Sequence, residues 1–214
     1  MTMEREVERR SPVLLPGKIV DTTVRDHWTV VLSYADEGLG PWLVDLSHGR
    51  RWDFQGLSLA EAIPTGWPKL PDAPGGVVLS TGGLVGRIGP RQALLWTFGD
   101  ESTIQPKVSV ATEVTEGTLC IALLGRDIFR IAEKLTRLDL TAPCRRTPFL
   151  LLGPFAHITC QIVVSSHDPE RGAFLVSCAR GFGHDMVHAL LSAGKEYGMR
   201  PAGEKRFMDF FQLH

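Results

Sequence analysis

The chain has 214 residues, of which 43% are hydrophobic and 22% are charged, and its formal net charge is −1. This length allows one large domain or two small ones that share a core. The composition is that of a globular protein and excludes extensive disorder. The balanced charge gives no electrostatic reason to expect a nucleic acid or an anionic membrane as a partner.

The N-terminal segment, residues 1–17, is predicted to be a flexible tail that ends at Pro16-Gly17. Its first ten residues are rich in charge and no apolar segment follows them, unlike a secretory signal peptide. The longest apolar run, residues 149–156, is interrupted by a glycine and a proline and is too short to span a bilayer. The cysteines form no Cys-x-x-Cys pair and are interpreted as reduced thiols. We therefore expect a cytoplasmic protein.

Residues 18–115 are predicted to form a first half that is mostly β. Short runs of apolar residues alternate with polar ones, and each run ends at glycine, proline or another turn residue. The predicted strands are residues 18–20, 28–34, 42–47, 51–54, 77–79, 84–88 and 92–98. A short helix at residues 59–63 and an extended, proline-rich linker at residues 64–74 separate the fourth strand from the fifth.

Residues 116–214 are predicted to form a second half in which strands and helices are mixed. The predicted strands are residues 118–124, 149–152, 157–164 and 173–179, and the predicted helices are residues 126–138 and 185–196. Both helices carry an apolar stripe at helical spacing. This order indicates an α+β fold in which helices cover one face of an antiparallel sheet.

Residues 42–56 carry the most informative pattern of the chain: two predicted strands joined by a tight turn at residues 48–50. The Asp-Leu-Ser-His at residues 45–48, followed by a short strand that Gly56 closes, resembles the opening signature of the glycine-cleavage aminomethyltransferase (folate-binding) family. Residues 117–126 and 189–203 are similar to two later segments of that family, in the same order. The resemblance implies two pseudo-repeated sheet-plus-helix halves.

Three departures set this chain apart from the active members of that family. Arg87 stands where the family carries an acid that holds the reactive folate nitrogen, and Leu175 stands where a glutamate binds the pterin. A carboxylate pairs with the amino and ring N–H groups of a pterin, which an isobutyl group cannot do. The sequence ends at His214, so we also expect the family's C-terminal barrel domain to be missing. The resemblance therefore implies a folate site that has lost its ligands.

The chain looks like a shortened, non-catalytic copy of this fold. In this respect it resembles the γ subunit family of heterotetrameric sarcosine oxidases and the small subunit of N-methylglutamate dehydrogenase. The segments that carry this second resemblance are Ser11-Pro12, residues 138–140, Arg146-Thr147, His157 and residues 174–176. It implies a subunit of an amine-demethylating oxidoreductase complex in one-carbon metabolism. The larger flavoprotein subunits would carry FAD, FMN, NAD and tetrahydrofolate, and this chain would bind none of them.

Two other functions stay open at this stage. A stand-alone tetrahydrofolate-dependent aminomethyl- or methyl-transferase would need a carboxylate elsewhere, with Asp45, Asp53 or Glu61 as candidates. A scaffold protein in an unrelated pathway is also compatible with the sequence.

No residue is predicted to be catalytic and no metal ligand is assigned. Asp45, Ser47 and His48 lie too close in sequence to form a hydrolase triad, whose members come from distant segments, and are interpreted as turn residues. His184 and His188 share a helix face, but no third metal ligand accompanies them.

The candidates for contacts with other subunits are aromatic and arginine side chains next to other charges. Such residues are enriched at protein interfaces, and arginine pairs form ion pairs across them. The interface candidates are Arg51, Trp52, Trp67, Arg145 and Arg146.

Overall fold

The structure is a computed structural model, and it describes residues 8–99, 106 and 110–211. The first-half strands are β1 (Ile19–Arg25), β2 (Trp28–Tyr34), β3 (Trp42–Asp45), β4 (Arg51–Gln55), β5 (Val77–Ser80), β6 (Gly83–Gly89), β7 (Gln92–Thr97) and β8 (Ala111–Glu113). The later strands are β9 (Thr118–Leu124), β10 (Phe149–Phe155), β11 (Ile158–Ser166), β12 (Ala173–Ala179) and β13 (Arg200–Ala202). The α-helices are α1 (Leu59–Ala62), α2 (Ile128–Glu133), α3 (Gly183–Gly194) and α4 (Glu204–Phe211).

These strands form two large sheets and one hairpin, so the fold is α+β. The first sheet has the order β10-β11-β12-β9-β3-β13, the second has the order β5-β6-β7-β4-β8, and β1 pairs with β2. β13 runs parallel to β3, whereas the other neighbouring strands of the two sheets are antiparallel.

The two sheets pack face to face and helices cover their outer faces. α2 and α3 bury Ile128 and Leu190 against one face of the six-stranded sheet. The opposite face of that sheet packs on the five-stranded sheet, together with the phenylalanines of α4. α1 closes the outer face of the five-stranded sheet, where Trp52 and Phe54 are buried. This layered arrangement explains why β9 and β12 are almost entirely apolar, since both of their faces are buried.

Most predicted elements are confirmed, and β2, β9 and β12 have the predicted bounds. α2 is shorter than the predicted residues 126–138. It starts late because Asp127 adopts a left-handed backbone conformation with φ of 63°. It ends early because the N–H of Leu135 donates to the carbonyl of Ala132, which tightens the last turn.

The two strands of residues 42–56 do not pair with each other. β3 hydrogen-bonds with β9 and β13 in the six-stranded sheet, whereas β4 hydrogen-bonds with β7 and β8 in the five-stranded sheet. The turn between them therefore carries the chain from one sheet to the other. It also places a first-half strand in the sheet that holds the second-half strands, so the sheets do not divide the chain at residue 115.

The described part of the N-terminal segment, residues 8–17, differs from the expected flexible tail. The N–H of Arg9 donates to the carbonyl of His27 over 2.9 Å, next to a backbone bridge between Arg9 and Trp28. Val13 is buried in the same core as α3. We refer to residues 8–15 as the N-terminal strap, because Arg9 binds the β1–β2 hairpin and Val13 packs into the core. Residues 1–7 lie outside the described residues.

Two strands and one α-helix of the described part of the chain were not predicted, namely β8, β13 and α4. β13 contains Pro201, which argues against a strand in sequence but is tolerated at the edge of a sheet. α4 follows directly and buries Phe207, Phe210 and Phe211.

Gly203, the last residue of the Pro-Ala-Gly run, lies between β13 and α4 and has no room for a side chain. A Cβ atom at this position would overlap the backbone carbonyl of Leu32 in β2. Replacing Gly203 with alanine is therefore expected to lower the free energy of unfolding by about 2 kcal/mol or more, because the backbone must move apart. Urea denaturation measures this change. Gly181→Ala is the matched control, since a Cβ atom at Gly181 meets no atom within 4 Å; equal stability of the two variants would contradict the close approach.

Candidate functional site

The Asp-Leu-Ser-His segment forms the turn that leaves β3. The N–H of Ser47 donates to Oδ1 of Asp45 over 2.9 Å, and Oγ of Ser47 accepts the N–H of Cys120 in β9 over 3.2 Å. Asp45 and Ser47 are thus turn and strand-end hydrogen bonders, as the sequence indicated. This bonding leaves His48 at the end of the turn, facing α4.

His48 belongs to a buried charge network with residues from β1 and α4. Nε2 of His48 lies 2.8 Å from Oε1 of Glu204, and Nη1 of Arg25 lies 2.5 Å from Oε2 of the same carboxylate. The side chains of Glu204 and His48 are 3% and 8% exposed. Both oxygens of the glutamate are therefore paired in a nearly dry environment, where charge-assisted hydrogen bonds are strongest.

The network sets the protonation of Glu204. Burial alone would raise the pKa of its carboxyl group, but the hydrogen bonds and charges of His48 and Arg25 outweigh it, and the pKa is lowered. Glu204 is therefore ionised in the folded protein at neutral pH. Its carboxylate joins the hairpin, the turn after β3 and the C-terminal helix.

A second ionic cluster attaches the N-terminal strap to this region. Oδ2 of Asp26, in the β1–β2 turn, lies 2.6 Å from Nη1 of Arg9 and 2.9 Å from Nη2 of Arg50. Nε of Arg9 lies 2.8 Å from Oε1 of Glu116. The strap is thus held to the hairpin and to the segment before β9.

Beneath the strap lies a cavity of about 240 Å³. Its apolar wall comes from the strap and from β2, and includes Val13, Leu15, Trp28 and Val30. Its polar groups come from the end of β2 and from the turn after β3, and include Tyr34, Asp45 and His48. Burial raises the pKa of Tyr34 to about 12, with smaller contributions from the carboxylates of Asp45 and Glu37. Its phenol is therefore neutral at physiological pH.

Arg51 and Trp52 are not on the surface, which corrects their assignment as interface candidates. Arg51 is 1% exposed, and its guanidinium donates to five backbone carbonyls, those of Leu46, Ser47, Gly49, Thr115 and Thr118. Trp52 is 4% exposed and packs beneath α1. The sequence indicated an accessible Arg51 because neighbouring charges are typical of surfaces. Here its guanidinium instead donates hydrogen bonds to the backbone carbonyls of two loops.

The other three interface candidates are at least partly accessible. Trp67 is half-buried against the outer face of the five-stranded sheet. Arg145 and Arg146 are exposed in the loop before β10, and the guanidinium of Arg145 lies 5.6 Å from the ring centroid of Phe149. The two arginines thus form a basic corner beside the edge strand of the six-stranded sheet.

Arg87 and Leu175 stand at the positions where the family resemblance places folate ligands, and neither side chain has a carboxylate. The guanidinium of Arg87 donates to the backbone carbonyls of Pro71 and Asp72 in the linker, over 3.2 and 3.0 Å. Leu175 is buried in the core between the two sheets. The lining of the cavity under the strap does not include either of them.

The two histidines of α3 lie next to each other on its exposed face. The rings of His184 and His188 stack with their centroids 6.5 Å apart. Among the described residues, no group of three or more histidine, cysteine or acidic side chains could hold a metal ion.

Sequence reasoning missed Glu204, Arg25 and Tyr34. Glu204 is 156 residues away from His48, and nothing local to either residue indicates the pairing. The available signal was the spacing of Phe207, Phe210 and Phe211, which indicates a helix. The structure shows that Glu204 is the first residue of this helix. Separately, none of the helices in the described part of the chain is long and apolar enough to span a membrane.

No protein-family model matches the sequence, and no curated protein matches it. The structure is similar to a chain of the heterotetrameric sarcosine oxidase from Corynebacterium sp. U-96, with a TM-score of 0.61 and 18% identity. That match covers 72% of this chain and 84% of the sarcosine oxidase chain. The structure is also similar to the glycine cleavage system aminomethyltransferase T from Bartonella henselae, with a TM-score of 0.54 and 15% identity. This second match covers 88% of this chain and 57% of the transferase. The chain therefore has the aminomethyltransferase-like fold that residues 42–56 resemble.

Proposed function

We propose that this chain is a non-catalytic small subunit, of the γ type, in a heterotetrameric amine-demethylating complex like sarcosine oxidase or N-methylglutamate dehydrogenase. One observation carries the proposal: the expected folate ligands are replaced by a buried leucine, Leu175, and by an arginine, Arg87, that is bound to linker carbonyls. A pterin placed against Leu175 would lose the paired hydrogen bonds that a carboxylate provides, at a cost of about 1.5–3 kcal/mol for each bond to a charged group.

The extent of the structural matches supports the same proposal. The matched region makes up 84% of the sarcosine oxidase chain but 57% of the aminomethyltransferase. The first match thus includes most of a chain that belongs to a heterotetrameric assembly.

In this proposal the larger subunits supply the chemistry of the complex. They would be cytoplasmic flavoproteins that hold FAD, FMN, NAD and tetrahydrofolate, and this chain would complete the assembly. The docking residues we favour are Arg145 and Arg146, because they are exposed next to a sheet edge, with Trp67 as a further contact. Arg51 and Trp52 are left out because they are buried.

The alternative is a stand-alone tetrahydrofolate-dependent aminomethyl- or methyl-transferase that uses another carboxylate. Of its three candidates, Asp53 bonds to Gln55 and Gln92, and Glu61 is exposed on α1. Asp45 lines the cavity beneath the strap, and this placement is the observation that favours the alternative.

Calorimetric titration of the isolated chain with tetrahydrofolate separates the two functions. The subunit proposal predicts no saturable heat, because no carboxylate stands at the pterin position. Micromolar binding that disappears in Asp45→Asn would overturn the proposal in favour of the transferase. The same titration with Asp53→Asn serves as the control, since Asp53 lies outside the cavity lining.

A further inference from the structure

Two of the four cysteines lie side by side on neighbouring strands. Cys160 belongs to β11 and Cys178 to β12, and these antiparallel strands pair with Gln161 opposite Ser177. The next position of the same register places Cys160 directly opposite Cys178. Both side chains belong to the core on the face of the six-stranded sheet that α2 and α3 cover. Because all four cysteines are free thiols, this pair is a dithiol.

The distance between these two positions suits a disulfide. Residues directly opposite each other on antiparallel strands have Cα atoms about 4.5–5.5 Å apart. A disulfide joins Cα atoms that are about 4.4–6.8 Å apart. The two side chains share one face of the sheet, and their thiols are close enough to hydrogen-bond with each other. A disulfide between Cys160 and Cys178 therefore requires rotation of the side chains rather than a movement of the strands.

The hydrogen bond between the thiols makes them chemically unequal. While both thiols are neutral, the carbonyls of Ile158 and Ala179 are acceptors for them, at 3.2 and 3.7 Å from Sγ of Cys160 and of Cys178. When the S–H of Cys160 donates to the other sulfur, it lowers the pKa of the Cys178 thiol, against the effect of burial, and the pKa of Cys160 is raised. The thiolate is the reactive form of cysteine, so Cys178 is the nucleophile of the pair.

The surroundings of the pair select a small oxidant and provide internal comparisons. Cys178 is 5% exposed and precedes Ala179, which is exposed at the end of β12, so hydrogen peroxide suits this position better than a bulky reagent. Cys120 lies in the core on the opposite face of the sheet, where burial raises the pKa of its thiol to about 12. Cys144 is exposed in the loop before β10. Within the described part of the chain, neither of these two hydrogen-bonds to another thiol.

We propose that Cys160 and Cys178 form a site of reversible oxidation, at which hydrogen peroxide converts the two thiols into an intramolecular disulfide. The sulfur of Cys178 attacks one oxygen of the peroxide and breaks the O–O bond, which gives a sulfenic acid and a water molecule. The sulfur of Cys160 then displaces the hydroxyl group of the sulfenic acid as a second water molecule, and the S–S bond forms. Both sulfurs are oxidised, the peroxide is reduced, and the two thiol protons leave in the water. The inference does not depend on the proposed subunit function, because it rests on residues of this chain alone.

Peptide mapping of the folded, full-length chain after peroxide treatment tests this inference. A Cys144→Ser background removes the exposed thiol, and the remaining thiols are alkylated in denaturant before digestion with trypsin under non-reducing conditions. Cleavage after Arg146, Arg171 and Arg180 places Cys160 in residues 147–171 and Cys178 in residues 172–180. A disulfide that links these two peptides is expected, at a yield independent of protein concentration, and dithiothreitol should reverse it. Recovery of both peptides in alkylated form, or their linkage only after the chain is unfolded, would overturn the inference.

Two further variants separate the effect of pairing from the effect of burial. Cys120→Ala removes the buried thiol on the opposite face and should leave formation of the disulfide unchanged. Cys160→Ala removes the hydrogen bond to Cys178, so oxidation of Cys178 by peroxide should slow about tenfold and end in sulfinic or sulfonic acid. Oxidation of Cys178 at the wild-type rate in a folded Cys160→Ala chain, or oxidation of Cys120 as fast as Cys178, would also overturn the inference.

Discussion

Replacing Arg51 with methionine is expected to leave the chain largely unfolded. The guanidinium is buried and donates to five backbone carbonyls and to Oγ1 of Thr118, and methionine would fill the volume without donating any of these bonds. Each buried acceptor left unpaired costs about 1–3 kcal/mol. The sum, about 5 kcal/mol or more, is comparable to the whole stability of a typical domain. Guanidinium denaturation followed by circular dichroism measures it.

The control is Arg145→Met, which changes an exposed arginine of the loop before β10 and should alter the free energy of unfolding by less than about 0.5 kcal/mol. The pair of variants also separates two roles for Arg51. A folded Arg51→Met chain of near-normal stability that only fails to bind other subunits would show that Arg51 acts at an interface after all.

Replacing Glu204 with glutamine is expected to lower the free energy of unfolding by about 3 kcal/mol at neutral pH. The substitution keeps the shape of the side chain but removes the buried negative charge that pairs with Arg25 and His48. Breaking a buried pair by removing one partner typically costs about 3–5 kcal/mol. Glu133→Gln, at an exposed position of α2, is the matched control and should be nearly neutral.

The same variant should change the acid limb of the stability profile. The pKa of Glu204 in the folded protein lies below its ordinary value of 4.5, so the unfolded chain takes up this proton first as the pH falls. The stabilisation by Glu204 is therefore fully present above about pH 4.5 and is lost as the pH falls through the folded-state pKa. Urea titrations from pH 7 to pH 3 should show a shallower acid limb in Glu204→Gln than in the wild type. Parallel limbs would show that the network contributes no pH dependence.

The sequence predicted those parts of the fold whose signal is local. The predicted bounds of β9, β11 and β12 were close to those observed. These strands are recognisable because buried residues form continuous apolar runs in β9 and β12 and alternate with polar residues in β11. Alternation does not say which strand is the neighbour, which is why the separation of β3 and β4 into different sheets was not foreseen. The burial of Arg51 was missed for a related reason. Its acceptors are backbone carbonyls, which every residue has, so the sequence does not show where they lie.

The candidate site depends even more on distant contacts. His48 was noticed because it ends the Asp-Leu-Ser-His run, but its partner Glu204 lies on a helix that the sequence reading omitted. The N-terminal strap was expected to be a tail because residues 8–17 contain charges and prolines. Its attachment through Asp26 and the burial of Val13 depend on the hairpin it crosses.

Affinity purification of the tagged chain from its native host tests most directly whether this chain acts within a larger complex. Larger subunits should be recovered with the chain at fixed stoichiometry, with the visible absorption of bound flavin. An Arg145→Glu/Arg146→Glu variant, folded as judged by circular dichroism, should recover less of them because it reverses the charge of the basic corner. Recovery of this chain alone, colourless and at the mass of a single 214-residue chain, would contradict the account.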